Sequence, residues 1–187
     1  MNKLLKFIVS ICMGASLSMA SAAAQNAPDP ENVLVMELKS GRVLIEMLPE
    51  IAPNHVARIK ELVRAGFYDG IVFHRVIDGF MAQTGDPTGT GTGGSGQKIK
   101  AEFSREPFLR GTVGMARARD PDSADSQFFI TFAPAPYLDG QYTVWGRVIE
   151  GMEHVDAIKK APPGRRSGMV DDPDQIIRMR ILADIQQ

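Results

Sequence analysis

Apolar and polar residues alternate along two runs near the start of the chain, VLVMELK and RVLIEML, which meet at Ser40-Gly41. Leu34, Met36 and Leu38 share one face of the first run; Val43, Ile45 and Met47 share one face of the second. A period of two places successive side chains on opposite faces, so the runs predict a β-hairpin closed by a two-residue, glycine-containing turn. The period then changes. Val56, Ile59, Leu62 and Val63 recur at helical spacing behind Pro53, and Gly66 ends the pattern, as a helix with a proline start and glycine stop would. Short runs follow that are rich in β-branched and aromatic residues: IVFHRVI, FMAQTGD, GTVGMAR, QFFITFA and TVWGRVI. Met152, Val155 and Ile158 predict a second helix over about residues 152–160, stopped by Pro162-Pro163-Gly164. The run IIRMRILADI sets Ile177, Met179 and Ile181 against Arg178 and Arg180 and reads as a last strand.

Eight strands and two helices result, joined mostly by hairpin-type links, with no regular βαβ alternation and no internal repeat. That pattern predicts a mainly β fold: a closed eight-stranded antiparallel β-barrel capped by two α-helices. Its strands are rich in Val, Ile, Leu, Met and Phe, so the barrel is expected to be filled rather than a hollow ligand carrier.

The first residues stand outside this pattern. Lys3 and Lys6 precede an apolar run ending near Ala20, and Ala22-Ala23-Ala24 offers a small-residue cleavage site. Residues 1–24 therefore read as a secretory signal peptide, residues 25–32 as a flexible lead-in and residues 33–187 as one domain. Export is expected, to a bacterial periplasm. Ile11 before Cys12 argues against lipidation, and Cys12 is the only cysteine, so the mature chain has no thiol or disulfide chemistry. Cleavage removes two lysines and no acid, moving the formal net charge from −1 to about −3. Neither nucleic acid nor stable membrane association is expected after cleavage, and a monomer is expected.

Several motifs can be set aside. GTGTGGSG, residues 89–96, contains the glycine spacing of a dinucleotide loop, but QKIKAEFSREPF follows instead of an apolar helix. It reads as a flexible surface loop, and no cofactor is expected. His55, His74 and His154 show no ligand spacing, so no metal is expected. His74, facing away from Arg75 by strand alternation, reads as a structural histidine with ordinary hydrogen bonds. Ser126 has no obvious base near it.

Arg75 remains: a permanent cation in the apolar run FHRVIDGFM, with only Asp78 and Asp86 as acids nearby. On a strand, Phe73, Arg75 and Ile77 share a face, and Phe80, Met81 and Gln83 return beside them. Two further polar-aromatic clusters, residues 126–129 and 137–142, supply Gln127, Phe129, Tyr137, Leu138 and Tyr142.

FHRVIDGFMAQTGD, GTVGMARA, DSQFFIT and YLDGQYTVWGRVIEGM, in this order, resemble the cyclophilins, a family of peptidyl-prolyl cis-trans isomerases. The similarity runs from about Val33 to Ile185. It implies an eight-stranded antiparallel barrel capped by two helices and an activity on proline-containing segments. By this resemblance Arg75 matches the catalytic arginine. Phe80, Met81, Phe129 and Leu138 match the proline pocket. Gln83 and Gln127 match side chains that hold the substrate backbone, and Ala116 a residue whose backbone lies beside it. Arg117, Tyr137 and Tyr142 join the substrate-binding set, although they stand where eukaryotic members commonly carry asparagine, tryptophan and histidine. The alternative is a non-catalytic chaperone or scaffold module that grips proline segments.

Overall fold

The computed structural model describes residues 27–186. The expected signal peptide, Cys12 and the first two residues of the lead-in lie outside them. Within the rest of the lead-in, residues 29–32 contact the domain. Pro30–Asn32 form a 3₁₀ turn capped by the Asp29 carboxylate, Lys60 donates to Asn32 Oδ1 at 2.8 Å, and Arg64 pairs with Glu31 at 2.8 Å.

The hairpin forms as the alternation predicts. β1 (Val33–Leu38) and β2 (Gly41–Met47) pair with Leu38 opposite Gly41, so the two-residue loop is Lys39-Ser40, one position earlier than expected. Gly41 opens β2 because the His154 ring packs where a Cβ would stand. Six more strands follow: β3 (Arg75–Ile77), β4 (Met81–Thr84), β5 (Thr112–Met115), β6 (Phe128–Thr131), β7 (Val144–Glu150) and β8 (Arg178–Ile181). They build one antiparallel sheet in the order β3-β4-β6-β5-β7-β2-β1-β8.

This sheet is open, which corrects the expected closed barrel. β3 and β8 do not pair with each other. Between them runs an irregular segment: Val76 donates to Gly168, Val170 to His74, Phe73 to Asp174, Ile176 to Ile71 and Ile177 to Glu37, all at 2.8–3.1 Å. Asp172 sits at φ +49 and Pro173 has no N–H, so the segment cannot form a regular ladder strand. It satisfies the edge groups of β3 and of the residues leading into it, and its last residue, Ile177, joins β1 just before β8 begins, without closing the sheet. The same segment explains why IVFHRVI yields only a three-residue strand.

α1 (Pro53–Arg64) forms as predicted, with Gly66 at φ +68 just beyond its end. α2 (Met152–Asp156) is shorter than expected. After it the Lys159 amide turns to Asp174 Oδ2 at 2.8 Å and the Ala161 amide to Val76, contacts that a continuing helix would forbid. The final alternating run breaks after Ile181 into a third helix, α3 (Leu182–Ile185), where Arg64 takes Asp184.

Residues of alternate parity serve two separate apolar clusters. Val76, Ala82, Phe128 and Ile130 join the main core with the β1–β2 hairpin, α1 and Trp145. Met81 and Phe129 turn the other way and pack with Leu48, Phe108, Ala135, Leu138 and Val144.

No side chain of α1 itself caps its N-terminus. Glu102 does so from 47 residues away: its carboxylate accepts the Asn54 and His55 amides at 3.1 and 3.0 Å and the His55 ring Nδ1 at 2.6 Å. His55 is fully buried. Burial keeps its pKa below the ordinary histidine value against the pull of Glu102, while hydrogen bonds from His55 and Asn54 hold Glu102 below the usual carboxylate range despite partial burial. The neutral ring therefore donates from Nδ1. Below about pH 6.5 an unfolded chain protonates this histidine while the folded one resists, and the Glu102 contribution falls away at lower pH still. Urea unfolding at a series of pH values is expected to show stability constant above about pH 7 and declining as pH drops toward 4. Glu102→Ala, which removes a helix cap and strands a buried ring, should cost about 1–3 kcal/mol at pH 7.

Candidate active site

Register assembles the site on the outer face of the β3–β4–β6–β5 part of the sheet. Arg75 stands opposite Gln83, Gln83 opposite Phe129, and Phe129 opposite Gly114. One cross-strand row thus carries a cation, an amide and an aromatic ring, in that order, across four strands. The fourth member must be glycine: a Cβ at Gly114 would stand 2.6 Å from both Phe108 and Phe129. Phe129 stacks on Phe108 at 5.6 Å and meets Tyr142 edge-on at 5.8 Å.

A cavity of about 170 Å³ opens above this row, lined by Arg75, Phe80, Met81, Gln83, Ala116, Arg117, Phe129, Leu138 and Tyr142. Nine of the eleven residues singled out from the sequence meet here. Tyr137 does not line it; it sits 61% exposed at the rim against Phe80, with ring centroids 5.7 Å apart. Gln127 lines a second cavity of about 460 Å³ instead, which shares Gln83, Ala116 and Arg117 with the first. Phe73 leaves the predicted shared face with Arg75 and Ile77: it precedes β3 and is buried in the main core.

Arg75 is half-buried, yet among the described residues it pairs with no carboxylate. Its Nε donates to the Ser167 carbonyl at 3.0 Å, and Nη1 lies 3.1 Å from Gln83 Oε1 and 3.9 Å from the Met81 sulfur. Burial draws its pKa below the usual guanidinium value, opposed by Tyr142, but arginine starts so high that it stays charged. A cation held by neutral acceptors beside an apolar cavity is a strong donor to whatever enters. Arg117 is arranged differently. It lies over the Tyr142 ring at 4.6 Å and donates to the carbonyls of Gln141, Ala118 and Arg119, so it forms wall rather than a free donor.

The glycine-rich run, read from the sequence as a flexible surface loop, is a tethered part of this site. Gly91, Thr92, Gly93 and Gly94 line the larger cavity with Lys98, Ser123 and Asp125. The Asp86 carboxylate takes the Thr88 and Gly91 amides at 2.7 and 2.6 Å. The Asp-Pro-Thr-Gly sequence of an Asx-type turn was the available signal. His74 does turn away from Arg75, into the interior beneath Gly91, but makes none of the ordinary hydrogen bonds expected: both ring nitrogens are buried without partners among the described residues. Burial lowers its pKa, and the ring is neutral. Ser126 is buried and donates to the Gly85 carbonyl at 2.7 Å, so it is no exposed nucleophile. Among the described residues no His, Cys, Asp and Glu cluster has the arrangement of a metal site, and no helix is long and apolar enough to cross a membrane.

Residues 33–181 match the family model described as cyclophilin type peptidyl-prolyl cis-trans isomerase/CLD. The chain belongs to the cyclophilins. A probable peptidyl-prolyl cis-trans isomerase of Brucella suis is 51% identical over 181 residues, which cover 90% of this chain and 92% of that one. A peptidyl-prolyl cis-trans isomerase of Synechococcus elongatus is 41% identical over 150 residues, covering 80% and 96%. Among solved structures, the cyclophilin AquaCyp293 from Hirschia baltica superposes with a TM-score of 0.75 at 30% identity, over 91% of this chain and 83% of that one. A Cryptosporidium parvum cyclophilin type isomerase, crystallised in the presence of the dipeptide Ala-Pro, gives 0.72 at 29% identity, over 80% and 98%. The activity of this cyclophilin is therefore peptidyl-prolyl cis-trans isomerisation.

Phe129 is 5% exposed and lies between Phe108 and Tyr142 in the floor of the smaller cavity. Phe129→Ala is expected to destabilise the fold by about 3–5 kcal/mol in denaturant titrations.

Proposed function

We propose that this cyclophilin accelerates rotation about X-Pro bonds in exported proteins and thereby assists their folding, with Arg75 donating to the prolyl nitrogen in the twisted transition state. One observation carries the reading: a half-buried guanidinium without a carboxylate partner among the described residues, beside a small apolar cavity.

A planar peptide bond resists rotation by roughly 18–20 kcal/mol because the nitrogen lone pair is delocalised. Twisting the bond returns the pair to nitrogen. A donor aimed at that atom gains little in the planar ground state and much at the twist, which is the differential binding that catalysis requires. Raising the rate from about 10⁻² to about 10³ per second needs roughly 7 kcal/mol. One charge-assisted hydrogen bond supplies about 1.5–3 kcal/mol, so the rest must come from holding the substrate. Phe80, Met81, Phe129 and Leu138 would grip the prolyl ring, with Tyr142 and the Arg117 stem as walls and Tyr137 at the rim. Gln83 and Gln127 would hold the flanking backbone. The Ala116 amide already donates to the Gln127 carbonyl at 2.9 Å, so Ala116 would offer its own carbonyl to a substrate amide. Proton transfer, metal and covalent intermediate are all unnecessary for a bond rotation.

Export to the periplasm is supported by the basic start, apolar run and small-residue site of residues 1–24.

Arg75→Ala should fold normally, as judged by its unfolding midpoint, and lose at least about a hundredfold in isomerisation of a proline peptide, a loss of about 2.7 kcal/mol or more. Turnover at the parental rate would remove Arg75 from the mechanism. Mass spectrometry of protein recovered from a bacterial periplasmic fraction should show an N-terminus at Gln25. An intact Met1 confined to the cytoplasm would contradict export.

A further inference from the structure

A continuous chain of hydrogen bonds joins Arg75 to the glycine-rich loop. Arg75 Nη1 donates to Gln83 Oε1 at 3.1 Å, and Gln83 Nε2 donates to Gln127 Oε1 at 2.9 Å. Gln127 Nε2 donates to the carbonyls of Gly91 and Gly93 at 3.1 and 2.8 Å. A primary amide has one oxygen that accepts and one nitrogen that donates two protons. Both protons of Gln127 go to the loop, so only its oxygen faces Gln83. Gln83 must then turn its nitrogen to Gln127 and its oxygen to Arg75. The two loop carbonyls therefore set the polarity of the whole chain. If Gln127 reversed, its NH₂ would meet the NH₂ of Gln83, donor against donor; if Gln83 turned over to relieve that, its NH₂ would meet the guanidinium, and Arg75 would lose an acceptor that holds it at the cavity.

Asp86 holds those carbonyls in place. It is 1% exposed. One carboxylate oxygen accepts the Thr88 amide at 2.7 Å and the Thr88 hydroxyl at 2.8 Å; the other accepts the Gly91 amide at 2.6 Å and, at 3.5 Å, the Thr90 hydroxyl. Burial alone would raise its pKa, but these donors hold it at about 2. The carboxylate is therefore charged at all working pH values and accepts from every side. Its N–H partners lie in the same turns whose carbonyls point to Gln127. Glycine is required at both loop positions, since a Cβ at Gly93 would collide with the Asp86 carboxylate and Gly91 sits at φ +87.

We propose that Asp86 is a positioning residue for the isomerisation, acting through Gly91, Gly93, Gln127 and Gln83 to keep the Arg75 donor aimed at the substrate nitrogen. This rests on the role of Arg75 proposed above. It makes the glycine-rich loop the far end of the catalytic arginine's support, joined to it by Gln83 of β4 and by Gln127, which stands just before β6.

The test is a double-mutant cycle on the full mature domain, read by the rate of proline-peptide isomerisation. Asp86→Asn replaces an acceptor with a group that must point a donor at one of the loop amides. Alone it should lower kcat/KM about tenfold, the effect of one well-made hydrogen bond lost from the transition state. Gln127→Met cuts the chain while leaving Asp86 and the loop in place, and should lose a similar factor. In the Gln127→Met background, Asp86→Asn should cost almost nothing further, because its route to Arg75 is already severed. A purely structural Asp86 predicts the same loss in both backgrounds, and that result overturns the proposal. Gln127→Met at the parental rate also overturns it. If Asp86→Asn proves too unstable to assay, Gly93→Ala displaces the carboxylate without removing it and enters the same cycle. The Arg75→Ala measurement separates the two readings: an inactive Arg75→Ala beside an additive cycle refutes only the role of Asp86, whereas an active Arg75→Ala refutes the mechanism on which it stands.

Discussion

The cross-strand register that places Arg75 beside Gln83, Gln83 beside Phe129 and Phe129 beside Gly114 is the constraint on which the site depends. A slip of one residue in any of the three pairings would turn a member of the row to the opposite face of the sheet. The register is pinned from beneath. Val76, Ala82, Phe128 and Ile130 alternate with the site residues and are completely buried in the main core. Each side chain of the row is thus fixed by neighbours whose burial leaves them no other face to occupy. Precision at the outer surface is inherited from packing at the inner one.

The open edge of the sheet belongs to the same design. β3 is three residues long and would leave unpaired backbone groups if it ended at solvent. The irregular segment that covers it supplies edge hydrogen bonds, and just before it the Ser167 carbonyl accepts from Arg75 Nε at 3.0 Å. Ser167 thereby satisfies one donor of the guanidinium with a neutral group, and Gln83 satisfies another. A carboxylate in either place would neutralise the cation on which the proposed mechanism relies. Neutral acceptors orient the cation and leave its charge free to act.

Legibility followed sequence distance. The hairpin of β1 and β2 and the helix α1 were readable because their periods are local and their hydrophobic faces complete. Arg75 and Gln83 were readable as neighbours because eight residues with an Asp-Gly turn between them form a hairpin. Nine of the eleven site residues do meet around one cavity, although most were placed by family resemblance, since periodicity assigns a face but not a partner. The glycine-rich loop was misread as free surface because its tether, Asp86, and its contact, Gln127, lie on different elements. Glu102 gave no sign of capping a helix that begins 49 residues earlier. The shortened α2, the terminal α3 and the unclosed sheet share a cause: chain from 159 to 177 takes up long-range backbone contacts that override its local pattern.

By itself the sequence determined which residues alternate, which positions turn, and that one arginine stands in an apolar run with Asp78 and Asp86 as its nearest acids. Those properties are written in local steric and hydrophobic preferences. That the arginine pairs with neither acid was decided by the fold. Only the tertiary structure decided that the sheet stays open, that a distant loop directs two glutamine amides toward that arginine, and that the carboxylate of Asp86 anchors the loop. Hydrogen bonds have direction, and direction is defined only once strands remote in the chain have been brought to a common face.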